Sequence, residues 1–216
     1  MVTLDELIAA YREDSHDAGT PPFISDAQLT RFANQAEKEA CRRAGLLIES
    51  AHAMCTIAAT SGDPLATLDR KIIDIKTARM SLDSCQLDPI TVSELSMNWG
   101  SDTGTPSHYV TDYQSGAVRL YPSPVVDDDL LLTVTRMPLA DMSAGDDEPE
   151  IREEYHEALV QWMLHKAYAK QDADMADPNK SARALAEFER EFGPRVSARN
   201  ERWRNSRHSI TTQPIA

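Results

Sequence analysis

Two Glu-x-x-His spacings, Glu49 with His52 and Glu153 with His156, are the residues here whose types and spacing could do chemistry. On helices of a four-helix bundle this spacing turns both side chains inward, and two such pairs plus two further glutamates make a di-metal carboxylate site. The pattern around them does not supply that bundle. His52 stands where an alternating, strand-like stretch begins, Glu153 falls in a first helical turn where complementing the helix dipole explains it, and no other helix offers an evident inward glutamate. His156 and His165 are about 180° apart on a helix and cannot share an ion.

Asp172, Asp174 and Asp177 in "DADMAD" invite a calcium reading. A calcium loop of the EF-hand kind needs glycine at its sixth position and glutamate at its twelfth, where this chain has Asp177 and Arg183. A solvated turn between helices fits better. Asp127, Asp128 and Asp129 are expected to guard a strand edge. G-x-S-x-G, G-x-x-x-x-G-K-[ST] and G-x-G-x-x-G are all missing, so neither a nucleophile elbow nor a phosphate cradle is in view. No enzyme activity and no cofactor are expected.

Charge is the stronger clue. Five arginines and one glutamate follow Phe192, a local balance of +4, so with a net charge of -13 the first 192 residues carry -17. Arg195, Arg199, Arg202, Trp203, Arg204 and Arg207 mix guanidinium groups with an aromatic ring, the types that dominate interface hot spots. The acidic body argues against holding nucleic acid by phosphate neutralisation, although a nucleic-acid module using the basic arm remains an alternative, as does a metal-binding, carboxylate-type helical enzyme. Three cysteines without C-x-x-C spacing point to small buried hydrophobes and not to a disulfide framework or zinc knuckle. The start lacks the basic and apolar regions of a signal peptide, and no run approaches the roughly 18 to 20 apolar residues that span a bilayer. The expected place of synthesis is the cytoplasm.

The elements that must carry these residues read as α+β: a helical bundle with an inserted antiparallel β-module and a C-terminal arm. Thr3 with Glu6 and Ser25 with Gln28 make capping boxes ahead of two helices, the second placing Leu29, Phe32, Ala33, Ala36 and Ala40 on a core face with Glu37 and Lys38 on the wet side. From Ala51 the period becomes two. Strands are expected at 51–60, in "RKIIDIKTARM", "HYVTDY", "AVRLY" and "DLLLTVTRM", with a short helix in "TVSELSMN". In "QSGAVRLYPSP" Gly116 suits a hairpin turn, Val118 and Leu120 alternate with Arg119 and Tyr121 as in a half-buried strand, and Pro122 and Pro124 end it as an edge strand. Pro149 is expected in the first turn of a helix burying Leu159, Trp162 and Met163; Asp177 and Pro178 start a last helix, which Gly193 and Pro194 stop. The expected divisions are helices at 1–50, the β-module at 51–138, helices at 139–193 and the basic arm at 194–216.

"GTPSHYV", "AVRLYPSP" and the run "DDEPEIREEYHEALVQWMLHKAYAKQDADMADPNKSARALAEFEREFG" resemble the head-to-tail adaptor (connector) proteins of tailed bacteriophages, and the architecture is similar to that of tail tubular protein A of short-tailed phages. Arg152 departs from the proline often found at that place. The resemblance implies a structural protein of the virion neck, assembled in the host cytoplasm. It implies a dodecameric ring of identical copies under the portal protein, extending the DNA channel without specific DNA binding. The tail or nozzle proteins would attach below, with no membrane involved. The arm, through Arg195, Arg199, Arg202, Trp203, Arg204 and Arg207, would meet the portal, and Tyr109, Tyr113, Arg119 and Tyr121 would contact neighbours or tail.

Overall fold

The computed structural model describes residues 2–17, 19–95, 99–170 and 176–195. Among them the chain forms two compact units, one running through Leu47 and resuming at Arg136–Arg195, the other spanning Ile48–Thr135. The first is helical and the second is a β-module, which makes the fold α+β as the sequence implies.

The helical unit contains α1 (Leu4–Ser15), α2 (Asp26–Ala44), α3 (His156–Tyr168) and α4 (Pro178–Phe192). Thr3 and Glu6 form the expected capping box: the Glu6 amide donates to Thr3 Oγ1 at 3.3 Å, and Glu6 Oε2 accepts from the Thr3 amide at 2.9 Å. Ser25 does precede α2, but its side chain makes no capping bond, so the second box is absent. Entry to α2 is set instead by Arg12, whose guanidinium reaches Asp17 (2.9 Å), the Ile24 carbonyl (2.8 Å) and Asp26 (2.6 Å). The buried Asp17 carboxylate also accepts the Phe23 and Ile24 amides, which pins the connecting loop.

Leu29, Phe32, Ala33, Ala36 and Ala40 are buried on α2 as their spacing requires, but Glu37, expected on the wet side, is only 2% exposed. The loop 139–151 covers it. Asn34 clamps both the amide and the carbonyl of Met142 (2.8 and 2.9 Å), Glu37 Oε1 accepts from the amides of Glu150 and Ile151 (2.5 and 3.3 Å), and Lys38 pairs with Asp141 at 2.5 Å. The same engagement corrects the start of α3. Glu150 gives its amide to Glu37 and its carboxylate to Arg136 and the Leu139 amide, so Pro149 lies outside the helix; a 3-10 turn at Glu153–Tyr155 precedes His156. Asp177 caps α4 through the Asn179 and Lys180 amides with Pro178 at its first position, and Gly193, at φ 84°, follows its end. Trp162 of α3 meets Phe188 of α4 with ring centroids 5.0 Å apart, and along α4 the rings of Phe188 and Phe192 lie 4.7 Å apart.

The β-module and its junction with the first unit hold β1 (Leu47–Glu49), β2 (Thr56–Ala59), β3 (Leu65–Thr67), β4 (Ile72–Met80), β5 (Gln86–Ile90), β6 (Thr103–Gly104), β7 (His108–Gln114), β8 (Ala117–Tyr121), β9 (Ser123–Pro124) and β10 (Asp128–Arg136). The main sheet runs β1-β10-β4-β5-β7-β8-β3, with β2 also paired to β10. Since the short turn 60–64 joins β2 to β3, at opposite ends of that order, the sheet must curl. Most described pairs are antiparallel; β5 with β7 and β6 with β9 are parallel.

Some strand expectations change and others hold. Residues 53–55 form a 3-10 turn that His52 caps, so the first long strand candidate begins only at Thr56. The expected short helix in "TVSELSMN" is present, as a 3-10 helix at Val92–Glu94. The hairpin of β7 and β8 is present, with Tyr109 opposite Leu120, Val110 opposite Arg119 and Gly116 at φ 75° in its turn. β8 is nevertheless an inner strand: β3 pairs along its other side, and Ala117 through Leu120 are all buried, so period-2 exposure is lost. Asp127 and Asp128 guard no edge. β10 has neighbours on both sides, and these carboxylates accept the amides of Ser61 (2.7 Å) and Leu82 (3.1 Å). Of the cysteines, Cys41 and Cys55 are buried as expected and Cys85 is exposed.

Candidate assembly surfaces

The end of α4 is held by a buried arginine. Arg43 is buried on α2 and donates from Nε to Glu39 (3.0 Å) and from Nη1 to Glu189 (3.3 Å) and the Gly193 carbonyl (3.0 Å). Its guanidinium also stands 5.5 Å from the Trp162 ring centroid and 5.2 Å from that of Phe188. One residue thus ties the last turn of α4, the carbonyl after it and the aromatic core to α2. Arg195 follows with its side chain 68% exposed and Nε 3.7 Å from Glu39. Arg199, Arg202, Trp203, Arg204 and Arg207 lie outside the described residues. Sequence reading missed Arg43, because an arginine three residues after Ala40, in the last turn of the helix, looks like any solvated helix cation.

In the β-module the four hairpin candidates divide. Tyr109 is 5% exposed and burial pushes its hydroxyl up to about 12, so it belongs to the interior of the folded chain. Tyr121 is half-buried and donates to Asp102 at 2.8 Å. Tyr113 is 42% exposed. Arg119 is covered by two rings, its guanidinium carbon 4.3 Å from the centroid of Trp99 and 5.1 Å from that of Tyr113; the two rings meet edge-on at 5.5 Å. Trp99 was not singled out in the sequence, and only the fold carries it to Arg119.

The residues that suggested metal chemistry have structural work. Glu49 Oε1 accepts the amides of Ser50, Ala51 and His52, and His52 Nδ1 accepts the Met54 amide, so the first pair builds a turn. His156 is buried against the Ile151 carbonyl at 2.9 Å, and His165 meets Ser181 Oγ at 3.0 Å. Asp177 is a helix cap, while Asp172 and Asp174 lie outside the described residues. No group of three or more His, Cys, Asp or Glu among the described residues is placed to hold a metal ion.

The family model described as SU10 adaptor protein matches residues 2–211. No curated protein matches alongside it. That match runs through the helical unit, the β-module and most of the arm alike, and the chain therefore belongs to the SU10 adaptor protein family, a bacteriophage structural adaptor.

Proposed function

We propose that this adaptor is a non-enzymatic head-to-tail subunit that assembles as a ring, dodecameric in the pattern of related phage adaptors, beneath the portal protein. Copies side by side extend the DNA channel and offer the tail or nozzle proteins an attachment surface. The match over residues 2–211 carries this reading, and the anchored base of the arm supports it. An extension of balance +4 is suited to an acidic surface on a partner. Repetition around a ring multiplies weak contacts through effective concentration. An acidic body also disfavours adhesion of the DNA that passes.

The test is truncation after Pro194, followed by co-assembly with the cognate portal. Loss of binding with an unchanged helical spectrum is expected; undiminished binding would remove the arm from the interface. Trp203→Ala combined with Arg202→Ala is the milder probe, expected to weaken docking and leave the body folded. Electron microscopy of the assembled mixture reads the ring and its copy number directly.

A further inference from the structure

The loop 139–151, which leads from β10 to α3, is fastened to the helices beneath it at its start, middle and end. At the start Asn34 holds the amide and the carbonyl of Met142 (2.8 and 2.9 Å), and Lys38 pairs with Asp141 at 2.5 Å. In the middle the carbonyls of Gly145 and Asp147 accept the amides of Asp5 and Leu4 at the start of α1 (3.0 and 2.8 Å). At the end the amides of Glu150 and Ile151 donate to one oxygen of Glu37, and the Ile151 carbonyl accepts from His156 Nε2 at 2.9 Å. Side-chain and backbone amides keep their protons across the ordinary pH range, and an exposed ion pair stays charged through neutrality. The buried carboxyl of Glu37 does not share that constancy.

Glu37 is 2% exposed, and its bonds are to the two amides. The charged groups around it are poorly placed to receive another negative charge. Glu150 and Asp141 face it from the loop, Lys38 on α2 is paired with Asp141, and Arg136 at the end of β10 is paired with Glu150. Cys41 lies one turn further along α2, and His156 of α3 holds the other side of the Ile151 peptide. Burial, joined by Glu150 and Asp141 and opposed by the two amides, lifts the carboxyl from 4.5 to about 7 while the loop end is closed. Once that end lifts, water reaches the carboxylate and its ordinary value returns. Ionisation therefore favours the lifted form and protonation the closed one.

We propose that residues 148–151 form a proton-operated latch, held down on α2 while Glu37 is protonated and lifting when it ionises, with residues 141–147 staying attached. Lifting breaks the bonds of Glu37 and His156 to the Ile151 peptide and turns Ile151, 3% exposed when closed, toward water. The lifted form is therefore a minority state, and pH sets its population. Linkage between 4.5 and about 7 raises the opening constant roughly 50- to 100-fold from about pH 5 to pH 8. The device is local: it moves one end of the connection between β10 and α3 and leaves the helices folded.

The experiment is amide hydrogen exchange of the full chain, read residue by residue by NMR and expressed as protection, which removes the intrinsic pH dependence of exchange. In the wild type, protection of the Glu150 and Ile151 amides is expected to fall roughly 50- to 100-fold from about pH 5 to pH 8. In Glu37→Gln, whose side-chain oxygen still accepts both amides, it should stay level. The Met142 amide, bonded to Asn34, should stay level in both chains. Matching pH profiles for wild type and Glu37→Gln would overturn the latch. So would loss of Met142 protection in step with Ile151, which reports release of the whole loop. Exchange of Glu150 and Ile151 no faster than that of the Ala36 and Ala40 amides in α2 reports global unfolding alone, and overturns it equally.

Discussion

Glu37 makes the helical unit sensitive to pH, and the sign follows from its surroundings. Burial under the loop 139–151 raises its carboxyl from 4.5 to about 7; the amides of Glu150 and Ile151 pull the other way without cancelling the effect, and the charges of Glu150 and Asp141 add to the rise. Between those values the folded chain keeps a proton that the unfolded chain has released. The native state binds more protons, so stability falls as pH rises through the window. At about 1.4 kcal/mol per pKa unit, the full loss is about 3 kcal/mol, most of it between about pH 5 and pH 8. Glu37→Gln keeps an oxygen for both amides and abolishes the titration. Urea unfolding at several pH values, followed by helical ellipticity, reports this unit because α1, α2, α3 and α4 all lie in it. The difference between wild type and variant should move in the variant's favour by about 2 to 3 kcal/mol from about pH 5 to pH 8. Parallel stability profiles would refute the reasoning, since any titration shared by both chains cancels in the difference.

Other outcomes follow from single contacts. Arg43→Ala removes the partner of Glu39, Glu189 and the Gly193 carbonyl, and should cost about 3 to 5 kcal/mol in urea unfolding, with Arg43→Lys recovering little because one ammonium cannot reproduce the fork. Asp17→Ala orphans the Phe23 and Ile24 amides and takes from Arg12 one of its two carboxylates, leaving Asp26; a loss of about 3 kcal/mol and faster proteolytic cutting in the loop 19–24 are expected, and a cutting rate equal to wild type would count against it. With maleimide, one thiol should react fast in the native chain: Cys85 is exposed, Cys55 is buried, and burial pushes the Cys41 thiol up to about 12. A second fast equivalent would contradict the burial of Cys41 or Cys55.

Legibility differed by element for physical reasons. The caps at Thr3 and Asp177, the stop at Gly193 and the apolar stripe of α2 were readable because each depends on residues within one or two turns of chain. Ser25 misled because its box competes with Arg12, which arrives from another helix. Glu37 misled more deeply: on α2 alone it faces water, and it is buried only because residues more than a hundred positions later fold across it. β8 likewise alternates correctly for an edge strand, and only its pairing with the unforeseen β3 covers the second side.

By itself the sequence determined the α+β class, the helical and strand-forming stretches, the separation of an acidic body from a basic extension and the motif string by which the adaptor family is recognised; these are properties of neighbouring residues and of summed charge. Tertiary structure alone decided that Arg43 ties the end of α4 to α2, that Glu37 is buried, and that the rings of Trp99 and Tyr113 cover Arg119. Each of those joins residues distant in the chain. Burial and charge pairing depend on what covers a side chain, and that is settled only when the elements pack.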